Sequence, residues 1–119
     1  MDVKENIIQE KSLQFAVRIV KLCKIIRNDK HEYELASQLL RSGTSIGANV
    51  GESKNAQSRS DFINKLNIAL KESDETDYWL TLLYKADILD KRSYDSIHND
   101  CLELIRLLTS IVKTSKDIY

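Results

Sequence analysis

The chain has no proline, only three glycines and only two cysteines in 119 residues. Cys23 and Cys101 are too few for a disulfide framework, which removes the small secreted scaffolds from consideration. Aromatic residues make up 7%. Tyr33, Tyr78, Tyr84 and Tyr94 do not interleave with basic residues as a single-strand nucleic-acid platform requires. Net charge is missing as well: 18 basic and 18 acidic side chains cancel, so no global field draws the protein to nucleic acid or membrane. No run approaches the roughly 18 consecutive apolar residues of a bilayer span, so no membrane partner is expected. Met1-Asp2-Val3-Lys4-Glu5 lacks the charged-then-apolar order of a signal peptide, and a cytoplasmic location is the expectation.

What is present points to helices. Hydrophobic residues reach 42% and charged residues 30%, the mixture of a globular domain, and 119 residues make one domain spanning 1–119. Ile8, Ser12, Phe15, Ile19, Leu22 and Ile26 step by threes and fours, a helical stripe. Ala36, Leu39, Leu40, Gly43, Ile46, Gly47 and Val50 form a second stripe, Phe62, Leu66, Ala69, Ser73, Thr76, Leu80 and Leu83 a third, and Tyr94, Ile97, Cys101, Leu104, Leu108 and Ile111 a fourth. Asp29 with Glu32, and Ser58 with Asp61, have capping-box spacing at two helix starts. Asp90-Lys91-Arg92-Ser93 is the last break. The predicted helices run over about 5–27, 30–55, 59–89 and 92–113, with a frayed tail at 114–119. Joined by short loops, they make an all-α, antiparallel up-down four-helix bundle, with crossing angles near 20°.

Two helices carry more apolar or neutral surface than one bundle can hide. Leu13, Val17 and Val20 point nearly opposite the first core stripe at about 100° per residue. The far face of the second helix is Gln38, Arg41, Ser45, Asn49 and Glu52, mostly short and neutral where lysine and glutamate are usual. Both faces are expected to be covered, and the expected cover is a second copy of the chain. Gly43, Gly47 and Gly51 recur every fourth residue along one side of the second helix. Each mid-helix glycine costs about 1 kcal/mol relative to alanine, so their spacing predicts close helix contacts.

Charge is uneven along the chain. Residues 1–30 carry a net +3 and residues 61–90 a net −4, a contrast that antiparallel neighbours would neutralise. Arg41 and Glu52 lie eleven residues apart, about 16 Å along a helix, and cannot pair with each other. An antiparallel third helix brings Glu52 level with Lys65, and Arg41 level with Glu72 and Glu75. Lys4, Lys11 and Arg18 line one edge of the first helix, with Lys21 beside them, and form the candidate nucleic-acid contact.

Gln38-Leu-Leu-Arg-Ser-Gly-Thr-Ser-Ile-Gly-Ala-Asn-Val-Gly-Glu52 is followed by Asp61-Phe-Ile-Asn-Lys-Leu-Asn-Ile-Ala-Leu-Lys-Glu72 and Glu75-Thr-Asp-Tyr-Trp-Leu80. Together with Asn6-Ile-Ile, Lys11-Ser and Phe15-Ala16 they resemble the bacterial four-helix-bundle family first noted as open reading frames in intervening sequences of 23S ribosomal RNA genes. The resemblance runs from about Asn6 to Val112. Gly51 stands where Glu or Ala is usual, and Asn28-Asp29-Lys30 where relatives often carry proline. The resemblance implies a left-handed bundle and a homopentameric ring. A relative within that family, the accessory protein of diversity-generating retroelements, binds nucleic acid and a partner protein through a basic surface. The resemblance therefore implies RNA or DNA and a partner protein as ligands to consider, while most of the family has no settled role.

Enzymatic signals are weak. Glu72-x-x-Glu75 and Asp87-x-x-Asp90 faintly resemble the acidic pairs of all-α nucleotide pyrophosphatases, which use Mg²⁺ held by carboxylates. Asp95-x-x-His98 is the nearest approach to a di-iron motif, and a di-iron bundle needs two. His31 and His98 read as solvated, Cys23 and Cys101 as buried free thiols, and Trp79 as a packing anchor. No cofactor or metal is expected. The sequence therefore predicts a non-enzymatic homo-oligomeric scaffold or adaptor, with nucleic acid the leading ligand class. A metal-dependent nucleotide hydrolase using the third-helix carboxylates is the alternative.

Overall fold

The computed structural model describes residues 3–118 as four helices: α1 (Val3–Lys30), α2 (Tyr33–Ser53), α3 (Arg59–Lys85) and α4 (Lys91–Ile118). There is no strand among the described residues. Most of each core stripe expected from spacing is buried, and Ile8, Phe15, Ile19, Leu39, Ile46, Leu66, Leu80, Leu83, Leu104 and Leu108 meet along the bundle axis, while Leu22, Leu40, Phe62 and Tyr94 are half-buried at its edge. Burying such a side chain contributes about 1.5–3 kcal/mol.

Cross-helix contacts show the antiparallel order at every seam. Along α1 and α2, Ser12 lies under Gly47, Ile19 under Gly43, and Arg27 Nη2 donates to Ser37 Oγ at 3.1 Å. Between α2 and α3, the Ser42 and Thr76 hydroxyls lie 3.0 Å apart in the core. Each hydroxyl also faces a backbone carbonyl of its own helix, Leu39 for Ser42 and Glu72 for Thr76, so the buried polar pair is satisfied. Between α3 and α4, Thr81 Oγ1 is 3.0 Å from Tyr94 Oη. Helices α1 and α3 sit at diagonal corners with no close backbone approach between them, and so do α2 and α4. The bundle measures 47 × 21 × 19 Å.

The helix ends differ from the sequence expectation in four places. First, α1 continues through Asn28 and Asp29 to Lys30 and stops at His31, whose φ of 57° is left-handed. The His31 N–H donates to the Arg27 carbonyl at 3.2 Å, closing the helix. Asp29 is thus still inside α1, so the expected Asp29–Glu32 capping box does not form, and the Glu32 side chain makes no cap bond. Second, α2 ends at Ser53 rather than residue 55. Third, α3 ends at Lys85, four residues before the expected 89, because Asp87 turns left-handed at φ 63°. There the Asp87 N–H donates to Tyr84 O at 3.0 Å and the Ile88 N–H to Leu83 O at 2.9 Å, a Schellman motif. Fourth, α4 does not fray at residue 114. It runs to Ile118, with Ile111, Val112 and Ser115 buried, and Tyr119 lies outside the described residues.

Of the expected capping box at α3 the Ser58 half forms, and the return bond goes to the residue before the cap. Ser58 Oγ accepts the Asp61 N–H at 3.0 Å, and Asp61 Oδ2 accepts the Gln57 N–H at 3.3 Å. Asp90 caps α4 by accepting the Ser93 N–H at 2.7 Å, and that bond holds the Asp90 carboxyl below its ordinary value.

Candidate functional site

The glycines of α2 divide into two kinds. A Cβ on Gly43 would lie 2.8 Å from Ile19 Cγ1, and one on Gly47 would lie 3.3 Å from the Ser12 carbonyl oxygen. Both therefore let α1 approach closely. Around Gly51 nothing lies within 4 Å of a Cβ position. The expectation of a close contact at all three is corrected there: Gly51 meets no other helix of its own chain.

The outward side of α1 has an apolar centre with exposed Glu10, Lys21 and Lys24 along it. Leu13 is 66% exposed, Val17 46% and Val20 38%, and Val3, Ile7 and Ile25 are exposed on the same helix. Next to them α2 presents Thr44, Ala48 and Gly51, none of them charged. Asn49 turns back to its own helix, where its amide donates to the Ser45 carbonyl at 2.9 Å.

The α2–α3 seam carries the ion pairs that the antiparallel register requires. Arg41 bonds Glu72 Oε2 at 3.2 Å and also bonds Glu75. Glu75 in turn accepts the Trp79 indole N–H at 3.0 Å. Lys65 lies 3.6 Å from Glu52. These pairs sit at the rim of the bundle, where each contributes about 0–1 kcal/mol.

The basic edge of α1 is largely occupied by α4. Lys4 Nζ donates to Ser110 Oγ at 2.8 Å, and Lys11 lies 3.1 Å from Glu103. Arg18 bonds Asp100 at 2.5 Å and Ser96 Oγ at 3.0 Å. Of the four candidate contacts only Lys21 has no partner among the described residues. The positive segment 1–30 and the negative segment 61–90 fall on α1 and on α3 with the turn after it. Because α1 and α3 are diagonal, the expected neutralisation between them does not happen, and the carboxylates facing α1 come from α4.

Several of the remaining titratable groups among the described residues are engaged in pairs and caps. Glu72 and Glu75 are engaged by Arg41, while Asp87 and Asp90 lie in the turn after α3, with Asp90 capping α4. Ten residues of helix, about 15 Å, separate Glu75 from the end of α3 at Lys85, and Asp87 lies in the turn beyond it. The carboxylates proposed for a nucleotide hydrolase therefore do not converge, and no group of three His, Cys, Asp or Glu side chains among the described residues has metal-binding proximity. His98 is not solvated as expected. Its Nε2 lies 2.7 Å from Asp77 Oδ1, and its ring stacks on Tyr94 at 4.6 Å, which stacks on Tyr84 at 4.5 Å. The i, i+4 spacing of Tyr94 and His98 was the available signal for this ladder across α3 and α4. Cys23 and Cys101 are buried and donate to the carbonyls of Ala36 at 3.3 Å and Ser73 at 3.4 Å. Burial pushes the Cys23 thiol up to about 11 and the Cys101 thiol to about 12, so neither is a nucleophile at neutral pH. No helix is long and apolar enough to cross a membrane among the described residues.

With this geometry in view, the comparisons with known proteins are concordant. The model of the 23S rRNA-intervening sequence protein family matches residues 4–110. A crystal structure of a protein with unknown function from the S23 ribosomal protein family of Bacteroides thetaiotaomicron superposes with a TM-score of 0.92. It is 55% identical and covers 93% of this chain and 99% of its own. Among curated proteins none matches. The chain belongs to the 23S rRNA-intervening sequence protein family.

Proposed function

We propose that this member of the 23S rRNA-intervening sequence protein family is a non-enzymatic assembly module, a scaffold or adaptor built from copies of itself. The observation that carries the reading is the exposed Leu13–Val17–Val20 stripe on α1. Apolar surface of this continuity on a soluble helix is a mark of association. Left-handed bundles closing into a homopentameric ring are the form the family resemblance suggests, and a ring gives every copy the same cover for its stripe. Such an assembly would repeat any basic surface around its circumference, so RNA or DNA, alone or with a partner protein, is the ligand class to test. Lys11 and Arg18 are already paired within the chain, which leaves Lys21 the strongest of the four candidates for phosphate.

Sedimentation velocity at micromolar concentration tests the reading. A mass well above one subunit is expected, falling toward one subunit in Leu13→Glu/Val17→Glu while the helical circular dichroism is kept. A folded wild-type monomer would overturn it. Fluorescence anisotropy with a labelled RNA and a labelled DNA at low salt tests the ligand class. Lys21→Glu should weaken binding there, and raised salt should abolish it.

A further inference from the structure

Of the four helix pairs that meet, α1 and α4 share the least close approach. Beside the start of α4 a cleft of about 810 Å³ opens between them. We propose that this cleft binds a small soluble amphiphile, an aliphatic body carrying a phosphate monoester head. The aliphatic part of the lining is Leu22, Ile25 and Ile97. The polar part is Arg18, Lys21, Arg92, Ser93 and Ser96, and the lining carboxylate is Asp90. Small-molecule sites commonly measure about 300–1,000 Å³ and combine an apolar wall with a few convergent polar groups. Beyond Ile25 an adjoining cleft of about 330 Å³ adds Ile88 and Leu89, with Lys30, Lys91 and Asp87 at its border, and gives the body room to extend.

The charges of the lining divide into engaged and unengaged. Arg18 is held by Asp100 at 2.5 Å and by Ser96 Oγ at 3.0 Å. Asp90 accepts the Ser93 N–H at 2.7 Å as the cap of α4. The Ser93 bonds chiefly hold its carboxyl low, and the charge of Arg92 contributes least. The Lys21 ammonium and the Arg92 guanidinium make no hydrogen bond or ion pair among the described residues. Arg92 stands in the first turn of α4, where a positive charge opposes the helix dipole and an anion is favoured. Its neighbour Lys91 is paired with Asp95 at 2.6 Å. Two unengaged cations match a phosphate monoester, about −1.5 to −2 at pH 7, better than a carboxylate. The Ser96 oxygen accepts from Arg18, which leaves its hydroxyl proton for the same head. Inorganic phosphate would leave the aliphatic wall wet, whereas a chain of methylenes removes it from water. The cleft lies on the α4 flank of α1, not on the Leu13–Val17–Val20 stripe, so the inference does not rest on self-assembly. Lys21 is shared with the candidate nucleic-acid contact, but a sugar–phosphate backbone has no use for the aliphatic wall.

Isothermal titration calorimetry with octyl phosphate, below its micelle concentration and with circular dichroism unchanged, tests the site. Wild type should bind octyl phosphate about tenfold or more tightly than inorganic phosphate or octanol, each of which lacks one half of the match. Lys21→Gln/Arg92→Gln should weaken octyl phosphate about tenfold or more, and both positions are exposed, so the fold is kept. Ile25→Asn, also at an exposed position, should weaken octyl phosphate and leave inorganic phosphate unchanged. Lys113→Gln, toward the other end of α4, should bind as wild type does. No saturable binding by wild type, or equal affinity for octyl phosphate and inorganic phosphate, would overturn the site. So would full affinity in Lys21→Gln/Arg92→Gln, or an equal loss in Lys113→Gln. Full affinity in Ile25→Asn would mark a cationic patch open to any phosphate, a nucleic acid included, and would overturn the amphiphile. None of these outcomes bears on sedimentation mass, so the self-assembly reading stands or falls separately.

Discussion

Gly43 and Gly51 are the same residue two turns apart on one helix, and their surroundings give them opposite mutational signs. Gly51→Ala adds a methyl group in open space and removes the helix cost of glycine, about 1 kcal/mol. The melting temperature should rise by roughly 4 °C. Gly43→Ala gains the same propensity but drives a Cβ into Ile19, and overpacking a filled core costs about 1–3 kcal/mol. It should lower stability in a urea melt. Gly47→Leu, whose branch has no room beside the Ser12 carbonyl, should lose the native fold or its assembly. Spacing alone marked all three glycines alike; only the position of α1 separates them. The thiols give a second residue-scale prediction. A thiol whose pKa rises on folding stays protonated in the native state, while the unfolded chain ionises near its ordinary value of about 8.5. Stability is therefore full below about pH 8.5 and falls as pH rises through about 11 and 12, where Cys23 and Cys101 ionise in the fold. Thermal melts between pH 8 and 11 should show this fall, and Cys101→Ala should flatten it.

At the scale of the element, the helices were legible and two of their stops were not. The apolar stripes marked all four helices because each packs one face into the core, and burial obeys the helical period. The start at Ser58 was legible because a side-chain oxygen before a helix has a local job, whereas Asp90 stood only within a break and its cap on α4 emerges from the structure. The stops at His31 and Asp87 were hidden because a left-handed residue there is usually glycine or asparagine, and every glycine of this chain lies in α2. Asp87→Gly should relieve the left-handed backbone and stabilise the protein by about 1 kcal/mol. Urea unfolding would check it, and a variant less stable than wild type would show that the Asp87 carboxylate has a contact of greater value.

For the whole molecule, the α2–α3 register followed from sequence because a short turn sets it, and Arg41, Glu52, Lys65, Glu72 and Glu75 then fall level. The partners of Lys11 and Arg18 were not legible. Glu103 and Asp100 arrive from the far end of the chain, placed only when all four helices are assembled. Apart from that last seam, every helix packs on its neighbours in the chain, and no proline interrupts it. Chains whose contacts are this local form their native arrangement in microseconds to milliseconds. Without prolyl bonds, no population of wrong isomers delays a fraction of the molecules for tens of seconds. Stopped-flow dilution from urea should therefore give subunit refolding as a single rapid exponential whose rate is independent of protein concentration. Subunits would be complete before they meet, and any slower step should accelerate as the solution is made more concentrated.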